Sequence, residues 1–262
     1  MYVTTERLCL RLLFLTLVWA SSQLLAVDMF LESGVARVRY VSKGTGEAVV
    51  LIHGFAEDLE KGWFDTEIFD RLVASGYQAI ALDCRGHGKS SRLRRVDQYG
   101  RHVIQDLVDL LDQLNVEKTH VVGYSMGAAI ANQFRHRYGD RLLSVTLSGF
   151  GKPPLPEKLT EALVQEIEGN LARMGLLAGN DPRSLACLCV GWRQWEVSDA
   201  ALKGNSVRSL ALIGADDFFL PDTKQLLAEM PMIKLEVVPG DHGTARSHPK
   251  YIEALLAFLQ GS

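Results

Sequence analysis

The sequence predicts an α/β fold, a mostly parallel sheet flanked by helices, with a small helical lid inserted late in the sheet. Three observations lead there. The runs AVVLIHG (48–54), QAIALD (78–83) and THVVGYS (119–125) are continuously apolar, as in strands covered on both faces. Stretches with helical periodicity separate them, the order expected of parallel strands joined by crossovers. With 262 residues, 47% hydrophobic and 23% charged, the chain is long enough to bury the core of one large domain.

Taken in order, ARVRYVSKG (36–44) alternates in the manner of a half-exposed strand and precedes the buried run at 48–54. TEIFDRLVASG (66–76) reads as a helix that stops at a glycine, and RHVIQDLVDLLDQLN (101–115) as the next. After the third apolar run come helix AAIANQFRHRYG (128–139) and strands LSVTLSG (143–149) and VRSLALIG (207–214). Helix DTKQLLAEM (222–230), strand IKLEVVPG (233–240) and helix PKYIEALLAFLQ (249–260) complete the series. Residues 151–206 break the rhythm: the stretch is far longer than an ordinary connection between sheet strands, so an inserted lid is expected there.

The first 26 residues stand apart. Arg7 and Arg11 precede the apolar run LLFLTLVWA, and Ser21, Ser22 and Ala26 offer small residues for cleavage, the pattern of a signal peptide. The run is short for a membrane-spanning helix, so the expectation is export to a periplasmic or extracellular space, with no stable membrane insertion after cleavage. An uncleaved anchor and a cytoplasmic protein are the lesser alternatives, and residues 27–262 form the folded domain. The net charge is −3 and the basic residues are scattered, which argues against nucleic acid as a partner. SSRLRR (90–95) is followed closely by Asp97 and reads as a solvated loop. Beyond the leader, Cys84, Cys187 and Cys189 are odd in number and a Cys187–Cys189 bridge would be strained, so they read as buried free thiols. No cluster of histidine and cysteine suggests a metal, no cofactor is expected, and the oligomeric state is not written in the sequence.

In an open parallel sheet, ligands meet the protein outside the carboxyl ends of the strands, and the unusual residues gather there. HGF (53–55), DCRGHGKS (83–90), GYSMG (123–127), GADDFFLP (214–221) and GDH (240–242) each close a strand. With these five motifs in this order, the chain from about residue 36 to 260 resembles the α/β-hydrolase family. The resemblance implies that Ser125 stands on a sharp strand-to-helix elbow, where Gly123 and Gly127 leave the room that a strained turn requires. A serine nucleophile requires a base within hydrogen-bond reach.

Of the seven histidines, His242, just after the last strand, is the expected base. His248, at a helix start, is the alternative. His102, His120 and His136 read as structural, and His53 and His87 resemble the family's structural histidines. Asp217 matches the family's position for the acid that orients the imidazole, with its neighbour Asp216 as the alternative. Backbone N–H groups of Phe55 and Met126 are the expected oxyanion donors. Asp83 and Arg85 read as residues that hold a turn, and Trp192 and Trp195 either roof an acyl pocket or anchor the lid.

The implied activity is that of a serine hydrolase acting on a small-molecule carboxylic ester or related acyl substrate through an acyl-enzyme. Serine at position 125, where family members that open epoxides or haloalkanes carry aspartate, argues against those reactions. Thioesterase, amidase, perhydrolase and carbon–carbon bond hydrolase chemistry remain open, as does a non-catalytic ligand-binding role on the same fold. The substrate itself is not legible.

Overall fold

A computed structural model of the protein describes residues 27–151, 160–175, 177–192 and 199–261. The leader (1–26) and Trp195 lie outside the described residues. Among the described residues, no helix is long and apolar enough to cross a membrane.

The chain enters the sheet through a hairpin of β1 (Met29–Ser33) and β2 (Ala36–Lys43), joined by the two-residue turn Gly34–Val35. Gly34 has φ +59°, the sign that the first residue of a type II′ hairpin turn requires. Beyond it come β3 (Ala48–Ile52), β4 (Gln78–Leu82), β5 (Thr119–Tyr124), β6 (Leu142–Ser148), β7 (Ser209–Gly214) and β8 (Ile233–Val238). Spatially the order is β1-β2-β4-β3-β5-β6-β7-β8. β2 is antiparallel to both its neighbours, and every other pairing is parallel. The strand β1 has no counterpart in the sequence reading, because its five residues lack a long apolar run and lie at the sheet's edge.

The continuous apolar runs have the cause expected of them. Along β3, Val50 and Ile52 face one core, with Ile104 and Leu107 of α2 (Arg101–Gln113) and Ile130 and Phe134 of α3 (Met126–Arg137). Val49 and Leu51 face the other, with Phe69 and Leu72 of α1 (Ile68–Ala74) and Tyr251 and Leu255 of α8 (Pro249–Gln260). A strand sandwiched in this way has no solvent face to leave polar. The edge strand β8 does, and there Lys234 and Glu236 alternate outward.

The interval between β6 and β7 contains three helices among the described residues: α4 (Glu161–Met174), α5 (Pro182–Gly191) and α6 (Asp199–Lys203). Thr160 caps α4 by accepting from the Leu163 N–H at 3.2 Å, and Gly175 ends it at φ +66°. Asp181 caps α5 in the same way through the Ser184 N–H, 2.8 Å, with Pro182 at the first helical position. Helix α7 (Leu220–Glu229) then links β7 to β8. Because β3 to β8 run parallel, their carboxyl ends share one edge, and His53, Asp83, Ser125, Asp217 and His242 all follow strands there.

Candidate active site

Ser125 occupies the single residue between β5 and α3, with φ +53° and ψ −112°. This is a costly conformation for a residue with a Cβ, and the flanking glycines explain how it is held. A Cβ on Gly123 would lie 2.1 Å from the Gly127 carbonyl oxygen, and one on Gly127 would lie 2.0 Å from that of Ile52. The turn is therefore packed against its own helix start and against β3 too tightly for any side chain. The Ser125 N–H donates to the Ser148 carbonyl at 2.8 Å, fixing the elbow to β6, and the hydroxyl is left at the carboxyl edge of the sheet.

There it meets His242. The Ser125 Oγ lies 3.0 Å from His242 Nε2, and His242 Nδ1 lies 2.9 Å from Asp217 Oδ2. Asp217 is buried, and its other oxygen accepts from the Phe219 N–H at 2.9 Å, so the carboxylate is clamped by its own turn. As an acceptor at Nδ1 the carboxylate fixes the tautomer, leaving Nε2 to accept the serine proton. Asp216 is exposed, and its backbone N–H bonds instead to the Gly240 carbonyl, 3.1 Å. His248 caps α8, its Nδ1 accepting from the Lys250 N–H at 3.2 Å. His102 and His136 are exposed on helices, and His120 is buried on β5 against Ser144.

The loop after β3 carries the second half of the site. Of its four consecutive N–H groups from Gly54 to Glu57, three donate within the protein. Gly54 donates to Glu57 Oε2 at 3.0 Å, Ala56 to His87 Nε2 at 3.2 Å, and Glu57 to the Gly54 carbonyl at 3.3 Å. The Phe55 N–H has no acceptor among the described residues. The Met126 N–H, first of α3, likewise has no helical carbonyl to reach.

His53 accepts from the Cys84 N–H through Nε2, 3.0 Å, and donates from Nδ1 to the Gly54 carbonyl, 2.7 Å. His87 is fully buried, and burial holds it well below the ordinary histidine range, with His53 pushing the same way. Both rings thus brace the loop through nitrogens that accept backbone N–H groups. Asp83 accepts from the N–H groups of Leu59 and Lys89, each 2.8 Å, and pairs with Arg39. Arg85 turns away from Asp83 and forks onto Asp106 of α2. The two hold turns, as expected, but not through one another.

Several contacts in the site have no sequence signal. Arg246 forks onto Glu57 and lies 3.8 Å over the Tyr124 ring, tying the loop after β3 to the segment that carries His242. Burial pushes the Glu57 carboxyl up, but the Arg246 guanidinium outweighs it and holds the group below the usual range. The exposed Phe218 lies 4.7 Å from the His242 ring, and Phe55 meets Trp192 edge-on at 5.6 Å. These pairs join residues far apart in the chain, beyond any local pattern. Cys84, Cys187 and Cys189 are free thiols, the first two buried as expected and Cys189 only partly so, and all three are raised by burial, Cys189 to about 12. Among the described residues, no group of three His, Cys, Asp or Glu is arranged for a metal ion.

A sheet of this order with a serine elbow, a buried carboxylate and a histidine on its carboxyl edge defines a class. Residues 47–189 match the family model described as the alpha/beta hydrolase fold, and the chain belongs to that family. It is 37% identical over 130 residues to the dihydrolipoyllysine-residue acetyltransferase component of an acetoin cleaving system from Cupriavidus necator, a match covering 48% of this chain and 33% of that one. It is 33% identical over 180 residues to a 2-hydroxy-6-oxononadienedioate/2-hydroxy-6-oxononatrienedioate hydrolase from Klebsiella pneumoniae, covering 63% and 61%. A bromoperoxidase from Bacillus anthracis shares the fold with a TM-score of 0.74 at 24% identity, over 89% of this chain and 100% of that one. The chain spans about a third of the length of the acetyltransferase component and of the epoxide hydrolases from Siraitia grosvenorii and Mycobacterium tuberculosis that it also matches.

Proposed function

We propose that the protein is a serine hydrolase that cleaves a carboxylic ester or related acyl substrate through an acyl-enzyme intermediate. One observation carries this reading: Ser125 Oγ stands 3.0 Å from an imidazole whose far nitrogen is held 2.9 Å from a buried carboxylate. Ser125 attacks the carbonyl carbon as its proton passes to His242 Nε2, and Asp217 stabilises the imidazolium. The negative charge that develops on the carbonyl oxygen is met by the uncommitted N–H groups of Phe55 and Met126, the latter backed by the amino terminus of α3. His242 then protonates the leaving group, and water, activated by the same nitrogen, releases the acid and restores Ser125.

In this reading the interval 151–206 acts as a lid, with Trp192 against Phe55 at the mouth of the site. The leader pattern of residues 1–26 supports export, which amino-terminal sequencing of protein from the native host tests.

The deciding experiment is fluorophosphonate labelling together with a panel of nitrophenyl esters of increasing acyl length. Labelling at Ser125 and turnover of the panel are expected, and a wild-type protein that does neither overturns the reading in favour of a ligand-binding role. The match to the Klebsiella hydrolase favours a second reading, hydrolysis of a carbon–carbon bond by the same residues. A 2-hydroxy-6-oxo dienoate in the panel separates the two by which substrate gives the larger kcat/KM.

A further inference from the structure

We infer that Asn180 is a positioning residue of the oxyanion hole, one that makes the orientation of the Phe55 N–H depend on the docking of the segment between β6 and β7. The inference rests on the role proposed for the Phe55 N–H, but its geometry stands apart from that role.

Ala56 follows Phe55 directly and is held at φ +59°, in the left-handed region that residues with a Cβ avoid. A residue in that state relaxes unless the peptide groups on its two sides are fixed, and both of them are. The Ala56 N–H donates to His87 Nε2 at 3.2 Å, and the Ala56 carbonyl accepts from Asn180 Nδ2 at 3.1 Å. His87 belongs to the same wall of the site, after β4. Asn180 comes from the inserted segment, 124 residues further along the chain. Its Oδ1 accepts from the Gly88 N–H at 2.8 Å, so the two ends of one amide span the loop after β3 and the loop after β4. Because one partner is an N–H and the other a carbonyl, only one orientation of the amide satisfies both.

Asn180 is buried, at 6% exposure, in a turn that is itself fastened from outside. Its own N–H donates to the Leu177 carbonyl at 2.7 Å. Arg92 donates to the Gly179 carbonyl at 3.0 Å, and Arg94 pairs with Asp181 at 2.6 Å on the surface. The Phe55 ring is also held from this segment, by Trp192. The residue whose N–H remains uncommitted is thus gripped by the inserted segment through its own ring and through the carbonyl of the next residue. Moving the segment out withdraws the amide from Ala56, and with it the restraint on the Phe55–Ala56 backbone. A hole that stabilises charge only when its donors are already in place loses catalytic power when they are free to rotate.

Asn180→Asp tests this, because it is isosteric and keeps an acceptor for Gly88 while placing an oxygen where Ala56 needs a donor. Arg94→Ala is the control: it removes one largely exposed side chain beside the turn while Asp181 keeps its bonds to Ser184 and both bonds of the Asn180 amide remain. In Asn180→Asp, kcat on the preferred ester is expected to fall about 10- to 100-fold with KM within about threefold, and affinity for a trifluoromethyl ketone to fall in parallel with kcat/KM. Arg94→Ala is expected to stay within about twofold in each. Amide hydrogen exchange over residues 54–57 is measured alongside, and is expected to accelerate in Asn180→Asp and not in Arg94→Ala. Unchanged exchange and an unchanged kcat overturn the inference, as does an equal loss in both variants. If the wild type neither reacts with fluorophosphonate nor turns over the panel, it is the proposed function that fails, and the exchange measurement alone decides whether Asn180 positions the loop. Should Asn180→Asp not fold, Asn180→Ala, which removes both bonds without adding charge, carries the same expectations.

Discussion

Tyr124 donates its hydroxyl hydrogen to the main-chain carbonyl of His242, 118 residues away in the chain. Tyr124 is the residue before Ser125, so the elbow that presents the hydroxyl also holds the backbone of the histidine that faces it. The two rings lie 5.4 Å apart, and Gly149 leaves the space that both need, since a Cβ there would come within 3.0 Å of one and 3.3 Å of the other. Tyr124→Phe keeps the packing and removes the bond. A stability loss of about 1 kcal/mol is expected, with a drop in kcat of about tenfold if His242 shifts by a fraction of an ångström. Denaturant titration and steady-state kinetics on one preparation read both.

Ser125→Ala should lower kcat by several orders of magnitude, leaving what binding and the oxyanion donors supply. Asp217→Asn should be severely damaging as well, since an amide no longer stabilises the imidazolium and invites the wrong tautomer. Asp216→Asn removes a charge at the next residue from an exposed side chain and should leave kcat within about twofold, as for most surface substitutions. A profile in which Asp216→Asn is the damaging change reverses the assignment of the acid.

The pair of Arg246 and Glu57 joins the loop after β3 to the segment carrying His242, with Arg246 6% exposed. Glu57→Gln leaves that guanidinium short of its counter-charge, and a loss of about 3 kcal/mol is expected, toward the lower end for a buried pair because the Glu57 side chain is partly exposed. Urea denaturation measures it. A change below about 0.5 kcal/mol would assign the pair to the class of inconsequential surface bridges.

Stability should fall on acidification in two stages. His87 and His120 are both held below the ordinary histidine value, chiefly by burial. Their contribution is whole above the unfolded value of about 6.5 and is lost as the pH drops below it, because the unfolded chain then binds protons that the native chain refuses. Glu57, depressed in the native state, adds a second loss below its unfolded value of about 4.3. Denaturant unfolding at pH values from about 7.5 down to about 2.5 gives the slope through both stages. His87→Asn should flatten the first stage, and an unaltered slope would show that His87 titrates alike in both states.

Much of this architecture is local, and local chemistry is what a sequence displays. The sandwiched strands betray themselves because Val49 to Ile52 face apolar cores on both sides. The elbow is legible because a backbone turning at Ser125 with no room at either glycine admits few residue types. β1 escaped notice because an edge strand of five residues follows no long pattern. Asn180 escaped because nothing in the sequence of a turn shows which carbonyl it will meet.

By itself, then, the sequence determined the order of strands and helices from β2 onward outside the interval 151–206, the crowded turn at Ser125, and the short list from which base and acid are drawn. Only the tertiary structure shows that His242 and Asp217, rather than His248 and Asp216, stand together with Ser125, because that depends on which side chains converge across β5, β7 and the loop after β8. It alone supplied the contacts of Tyr124 with His242, Glu57 with Arg246, and Asn180 with Ala56. Periodicity reports the environment along one element. Hydrogen bonds between residues more than a hundred positions apart are set by how those elements pack, and the chain carries no local mark of them.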